Sequence, residues 1–313
     1  MNSKFQKINI EDVLFFDAEV VRKNKELEID SLEYQLYQKK TRNRETDEFL
    51  TDEELQEDYK KRAALKIGYN KIVTIGVGFV KNNTPYIKSI EGTEEEVIKI
   101  FCELTQQFKY VCGANILAYD LPMIINNGWK YFNVVQVLPD QFLTSGKKQW
   151  NLDMVIDLME TFKGTHYYNS SVEEICYHFD IPTPKDDISG AEVSETYYNE
   201  GIGRISTYVK KDVLANINIF LKMQGKDIYT EFVDRSDIQI VDERTVLEKL
   251  YATNQLTDNL KKDIEKLTQK KKLTATDKKN LVKILLSVYQ TKGDKVAVKK
   301  EKQTEVEEFI KTL

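Results

Sequence analysis

Leu14-Phe15-Phe16-Asp17-Ala18-Glu19-Val20-Val21 is the stretch on which the fold turns. Apart from its two acids it is wholly apolar. Residues 12 to 21 therefore read as a central strand, covered on both faces and too short for a typical helix. Asp17 and Glu19 stand two apart, so both side chains leave the same face of that strand. Burying an unpaired carboxylate costs roughly several kcal/mol. Two side by side also repel and raise each other's pKa. A bound cation reverses that effect and keeps both ionised. The plainer alternative is an exposed strand face with two ordinary acids, and the apolar residues on either side argue against it.

Outward from this strand the pattern alternates. Residues 22 to 66 carry dense mixed charge and read as a mostly helical insertion, in which Thr51-Asp52-Glu53-Glu54 resembles a capping box. Lys71 to Val80 reads as a strand, Asn82-Asn83 as a hairpin turn, and Thr84 to Ile90 as the returning strand. Thr93-Glu94-Glu95-Glu96 caps a helix to about Phe108, Tyr110 to Gly113 forms a short buried strand, and a helix follows from Asp120 to about Asn127. This order predicts a mixed α/β sheet with an antiparallel hairpin side and a parallel crossover side. Beyond it, Trp150 to Leu158, Val172 to Phe179, Ala191 to Asn199 and Ile205 to Met223 read as helices. Past Gly225 the character changes: Leu256 to Leu267 is amphipathic, Thr274-Ala275-Thr276-Asp277 caps a helix to about Tyr289, and Lys261, Lys262, Lys266, Lys270, Lys271, Lys272, Lys278, Lys279 and Lys283 make the region strongly basic, suited to gripping a nucleic-acid backbone or to a solvated helix pair. The domain expectation is thus 1–224 for the α/β unit and 225–313 for a basic helical extension.

Two further acids occupy suggestive places. Asp120 ends Asn115-Ile116-Leu117-Ala118-Tyr119-Asp120, after a buried strand and at the start of a helix. Taken alone it reads as an ordinary N-cap. Tyr208 and Asp212 are i, i+4 and so share a helix face. Taken alone they read as a core tyrosine beside a solvated acid. If the fold gathers Asp17, Glu19, Asp120 and Asp212, it makes a carboxylate cage for two divalent cations. Such a cage points to phosphodiester hydrolysis.

Together the three segments resemble the motifs of the DEDD 3'-5' exonucleases of the ribonuclease-H-like superfamily. Asp17-Ala18-Glu19 matches the first, Asn115 to Asp120 the second, and Tyr208 to Asp212 the tyrosine version of the third. Neither His166 nor His178 precedes Asp212 at the spacing of the histidine version. Ala63-Ala64-Leu65, Lys71 to Phe79, Gln149 to Asp153 and the Ser206 to Leu221 helix look like stand-alone exonucleases similar to the proofreading domain of family-B DNA polymerases. The resemblance spans about residues 10 to 224. It departs at Ala18, where many relatives carry a branched residue, and in the long charged insertion.

The resemblance implies a ribonuclease-H-like fold, with Asp17, Glu19 and Asp212 ligating a first cation. Asp17 would bridge to a second, with Asp120 helping directly or through water. Mg²⁺ suits an all-carboxylate site, and Mn²⁺ often substitutes. Tyr208 would orient the attacking water. Ala18, Asn115, Tyr119, Leu121 and Met123 are expected to line the groove for the terminal nucleotides, although core packing serves Leu121 and Met123 equally well. Asp153 and Asp157 read as structural or helix-surface acids. The implied substrate is the 3' end of single-stranded DNA. An exoribonuclease and a catalytically silent nucleic-acid-binding module are the alternatives.

The bulk numbers fit. The chain has 313 residues, 41% hydrophobic and 31% charged. No apolar run approaches the ~20 residues of a bilayer span. No signal-peptide core is legible at the start, and three cysteines suit a reducing compartment. A cytoplasmic enzyme without a membrane partner, working beside replication or repair proteins, is the expectation. A net charge of −5 leaves room for a local basic groove.

Overall fold

The computed structural model describes residues 5–42, 48–132, 138, 139, 142, 154–184, 187–235 and 280. The chain divides into two units, Met1–Ile240 and Val241–Leu313. The expected helices of the basic extension lie almost wholly outside the described residues.

Strand β1, Val13–Arg22, sits inside a sheet. It pairs antiparallel with β2, Asn70–Lys81, which returns as β3, Thr84–Glu91. Asn82 and Asn83 make the turn with φ of 50° and 60°, a left-handed pair that asparagine tolerates and that matches strand twist. On its other side β1 runs parallel to β4, Tyr110–Gly113, which pairs parallel with β5, Val155–Asp157. The sheet order is β5-β4-β1-β2-β3-β6, where β6 is Val233–Asp234 on the β3 edge. This is the mixed sheet of a ribonuclease-H-like α/β fold, in agreement with the sequence pattern.

The helices follow their caps. In the insertion, α1 is Leu32–Lys40 and α2 is Asp52–Arg62, and α2 opens on the Thr51–Glu54 capping box. Helix α3, Glu94–Thr105, opens on Thr93–Glu96 in the same way. Helix α4 is Asp120–Gly128, α5 is Leu158–Lys163, α6 is Val172–His178 and α7 is Val193–Glu200. The long α8 is Gly203–Met223.

Alternation along β1 divides the core. Leu14, Phe16, Ala18 and Val20 pack with Val97, Phe101, Leu121 and Ile124 from α3 and α4. Val13 and Phe15 pack with Val213, Ile217 and Phe220 of α8. Asp17 and Glu19 share the odd-numbered face, so they are turned toward α8. Glycine lets that helix come close. A Cβ on Gly76, which pairs with Asp17, would lie 2.9 Å from side-chain carbons of both Val209 and Val213. One on Gly78 would lie 2.6 Å from Val213. Both approaches are tighter than packed carbons accept.

Two elements differ from the sequence expectation. The expected helix from Trp150 to Leu158 is in part a strand: Val155–Asp157 is β5, and α5 begins only at Leu158. Val155 and Ile156 are β-branched and complete the parallel side of the sheet, and so short an apolar run has no telling period. Residues 150–153 lie outside the described set. Strand β6 lies in a stretch with no strand signal. Backbone pairing to the β3 edge defines it, and Arg235 N–H donates to Ile87 O at 2.8 Å.

Candidate active site

The site is built on β1 and completed by α8 and α4. Asp17 and Glu19 project from the middle of β1, just before a bulge between Glu19 and Val20. Asp212 lies on α8, whose backbone the glycines of β2 admit. Carboxylate oxygens of Asp17, Glu19 and Asp212 all lie within 4.8 Å of one another. Two residues two apart on a strand thus meet a third nearly two hundred positions later.

Asp120 joins them from the first turn of α4. It is 4% exposed, and its Oδ1 accepts a hydrogen bond from Ala18 N–H at 3.0 Å. That amide lies between the two β1 acids, so the second motif is fastened to the first. The ordinary N-cap reading does not hold, because Tyr119 occupies the cap position without a side-chain bond and Asp120 is the first helical residue.

Electrostatics mark the cluster as a site for positive charge. Glu19 is 8% exposed. Burial, then the charges of Asp17, Asp212 and Asp120, push its carboxyl well above the usual carboxylate range. Burial pushes Asp120 up to about 7, against the lowering effect of the Ala18 amide. With no cation, burial and mutual repulsion favour the protonated forms of these groups. Oxygen donors at this density fit a hard divalent cation, which would keep them ionised. The acidic cluster is therefore a candidate metal site.

Tyr208 stands one turn before Asp212 and is buried with Val21, Val73 and Ile205. Its phenol is raised by burial, by the acids Asp212, Glu19 and Asp17, and by its bond to Asp212. It stays a neutral donor at any working pH.

The remaining expected residues take graded places. Ala18 lends its amide to Asp120. Asn115 is exposed, with a φ of 60° that turns the loop. Tyr119 is partly exposed, and its hydroxyl donates to Ala64 O at 3.3 Å. Leu121 is fully buried in the core, and Met123 is buried with its sulfur accepting from Asn70 Nδ2 at 3.2 Å. Asp153 lies outside the described residues. Asp157 is not on a helix surface: it ends β5, is 3% exposed and caps α5. Sequence reasoning misses Gly76 and Gly78 as site determinants, since a strand glycine signals close approach without naming what approaches.

A family model described as a predicted 3'-5' exonuclease related to the exonuclease domain of PolB matches residues 63–261, more than half of the chain. The chain belongs to that family. It is thus an enzyme of the 3'-5' exonuclease class, and its substrate is nucleic acid. The match contains the second and third exonuclease motifs but starts after Asp17 and Glu19. Geometry supplies that link, because the fold gathers both acids with Asp212. No curated protein matches the chain. No helix among the described residues is long and apolar enough to cross a membrane.

Proposed function

We propose that the protein removes nucleotides one at a time from the 3' end of single-stranded DNA, releasing nucleoside 5'-monophosphates, with two divalent cations. The observation that carries this is the cluster of Asp17, Glu19 and Asp212 oxygens within 4.8 Å, on a chain of the exonuclease family. Asp17, Glu19 and Asp212 would hold the first cation, and Asp17 with Asp120 the second. Mg²⁺ suits these donors and Mn²⁺ can substitute. When bound, such cations supply Lewis-acid stabilisation of the phosphoryl charge and of the leaving oxygen.

The chain's own groups do the rest. The buried carboxylates exclude anions other than one brought in with cations. Tyr208 is too weak an acid to ionise, so it orients the attacking water by hydrogen bonding and does not act as a base. Asn115 and Tyr119 stand on the exposed side of the second motif, where a terminal base can stack without sequence preference. Leu121 and Met123 back that loop from within the core. The three cysteines are free and buried, which supports a reducing compartment such as the cytoplasm. DNA repair and replication-associated trimming, alongside proteins of those processes, and service to a virus all suit such an activity.

Matched DNA and RNA oligonucleotides, digested in parallel with Mg²⁺, test the substrate. Faster loss of DNA, with 5'-mononucleotides as product, is expected. Preference for RNA would overturn the substrate and favour the exoribonuclease alternative, since the same acids serve both polymers and only a 2'-hydroxyl contact separates them. Cation-dependent binding without cleavage of either would favour the silent module.

A further inference from the structure

Asp157 is the buried acid the mechanism has not used. Its Oδ1 accepts from Met159 N at 3.0 Å and Glu160 N at 3.2 Å, which is ordinary capping of α5. The same oxygen also accepts from Asn115 N at 3.1 Å, and Oδ2 accepts from Leu117 N at 3.0 Å. A cap alone has no need of these last two bonds. They reach about forty residues back into the loop that carries the second motif. The left-handed φ of Asn115 turns both amides toward one carboxylate. The loop then closes on itself: Ala118 N and Tyr119 N donate to Asn115 O at 3.2 and 3.0 Å, and Leu121 N donates to Ile116 O at 3.0 Å. Directly after this knot comes Asp120, bonded to Ala18 N.

We propose that Asp157 is a positioning residue for the reaction: it clamps the Asn115–Tyr119 loop to the β5 end so that Asp120 is held against the β1 acids. This rests on the proposed role of Asp120 as a cation ligand. The chemistry of the side chain follows from the bond pattern. Four backbone donors converge on one group from two sides; burial raises its pKa, these four bonds oppose that and favour the ionised form, and that form accepts on both oxygens without offering a proton of its own. Serine or asparagine would cap α5 about as well. Neither would also accept from Leu117 without losing another bond.

Asp157→Asn is therefore the discriminating change. Its amide oxygen keeps the cap, and its NH₂ meets the Leu117 N–H donor to donor. Hydrogen exchange of the full-length, cation-free protein should speed up across 115–121 and at the Ala18 amide, while α3 and α8 stay protected. With 5'-labelled single-stranded DNA, kcat should fall roughly 10- to 100-fold, the size typical for losing a partner behind a metal ligand. KM should hold within about twofold, and the half-saturating Mg²⁺ concentration should rise. Asp157→Glu, which keeps the charge and both acceptors, should recover part of kcat. Should Asp157→Asn not fold, Asp157→Glu against wild type carries the same comparison, with a smaller fall in kcat and the same shift in Mg²⁺ requirement. Faster exchange with unchanged kcat and Mg²⁺ requirement would overturn the proposal and leave Asp157 a helix cap. A rise in KM alone would overturn it in favour of a nucleic-acid contact by the loop. An inactive wild type would sink the functional reading instead, while exchange at Ala18 still reports whether Asp157 holds Asp120 in place.

Discussion

At the scale of single residues, the site is a set of acids whose cation-free state is uncomfortable. Glu19 and Asp120 both bind protons more tightly folded than unfolded. Each therefore contributes stability at low pH that is lost as pH rises from the unfolded value of about 4 through the folded one. For Asp120 that window closes at about 7. In the cation-free protein, raising the pH from 5 to 8 is expected to lower Tm through this cluster. Mg²⁺ should raise Tm more at pH 8 than at pH 5, because at pH 5 it must displace protons. Scanning calorimetry with and without Mg²⁺ checks this, and equal shifts at both values would contradict it. Glu19→Gln is the companion change. It should raise the cation-free Tm at pH 8, since a neutral amide takes no part in the repulsion among Asp17, Asp120 and Asp212. It should also cut exonuclease rate by at least ~100-fold, the scale of losing one charge-stabilising group. A stabilised variant with full activity would remove Glu19 from the site.

At the scale of elements, the approach of α8 to the sheet sets how near Asp212 comes to β1. Gly76→Ala would press a methyl against Val209 and Val213. Overpacking of this kind costs about 1–3 kcal/mol, and the helix that must give way carries both Tyr208 and Asp212. A lower Tm and a larger loss of kcat than that Tm explains are expected from denaturation and rate measurements. Full activity would mean that the helix tolerates the displacement. Such dependence also explains what the sequence disclosed. β1, the Asn82-Asn83 hairpin and the capped helices are legible because each carries a local signal: acids in an apolar strand, a left-handed turn pair, a threonine three before a glutamate. β5 is not, since Val155-Ile156 is too short for its period to tell strand from helix, and its partner β4 is more than forty residues away. The insertion is legible as helical but not as a small core of its own. Its buried members are largely Tyr34, Tyr37 and Tyr59, with Leu27, Leu55 and Ala63. Tyr34 bonds Asp52, Tyr37 bonds Asp58 at 2.8 Å, and Tyr59 bonds Glu33 at 2.7 Å, so residues that read as charged surface serve to satisfy buried phenols. Asp157 reads only as a structural or helix-surface acid, because nothing local says that two amides some forty residues upstream will find it.

At the scale of the whole molecule, the sheet brings three distant motifs to one place, and the described fold ends before most of the basic lysines. The excess of lysine over acids within residues 256–289 suits a grip on the nucleic-acid backbone, and we propose that role for them. Replacing Lys261, Lys262 and Lys266 together by alanine should then weaken binding and flatten its salt dependence, by about 0.7 for each phosphate no longer neutralised. Fluorescence anisotropy with a single-stranded oligonucleotide across salt concentrations measures that slope, and an unchanged slope would assign these lysines to solvated surface. Asp17, Glu19, Asp120 and Asp212 are proposed to form one cation-dependent exonuclease site. The most direct measurement is digestion of a 5'-labelled single-stranded DNA oligonucleotide, wild type beside Asp17→Ala, with and without Mg²⁺ or Mn²⁺. A ladder shortening from the 3' end, dependent on the cation and absent in the variant, is expected. A ladder that persists in Asp17→Ala, or one that forms without any divalent cation, would contradict the proposal.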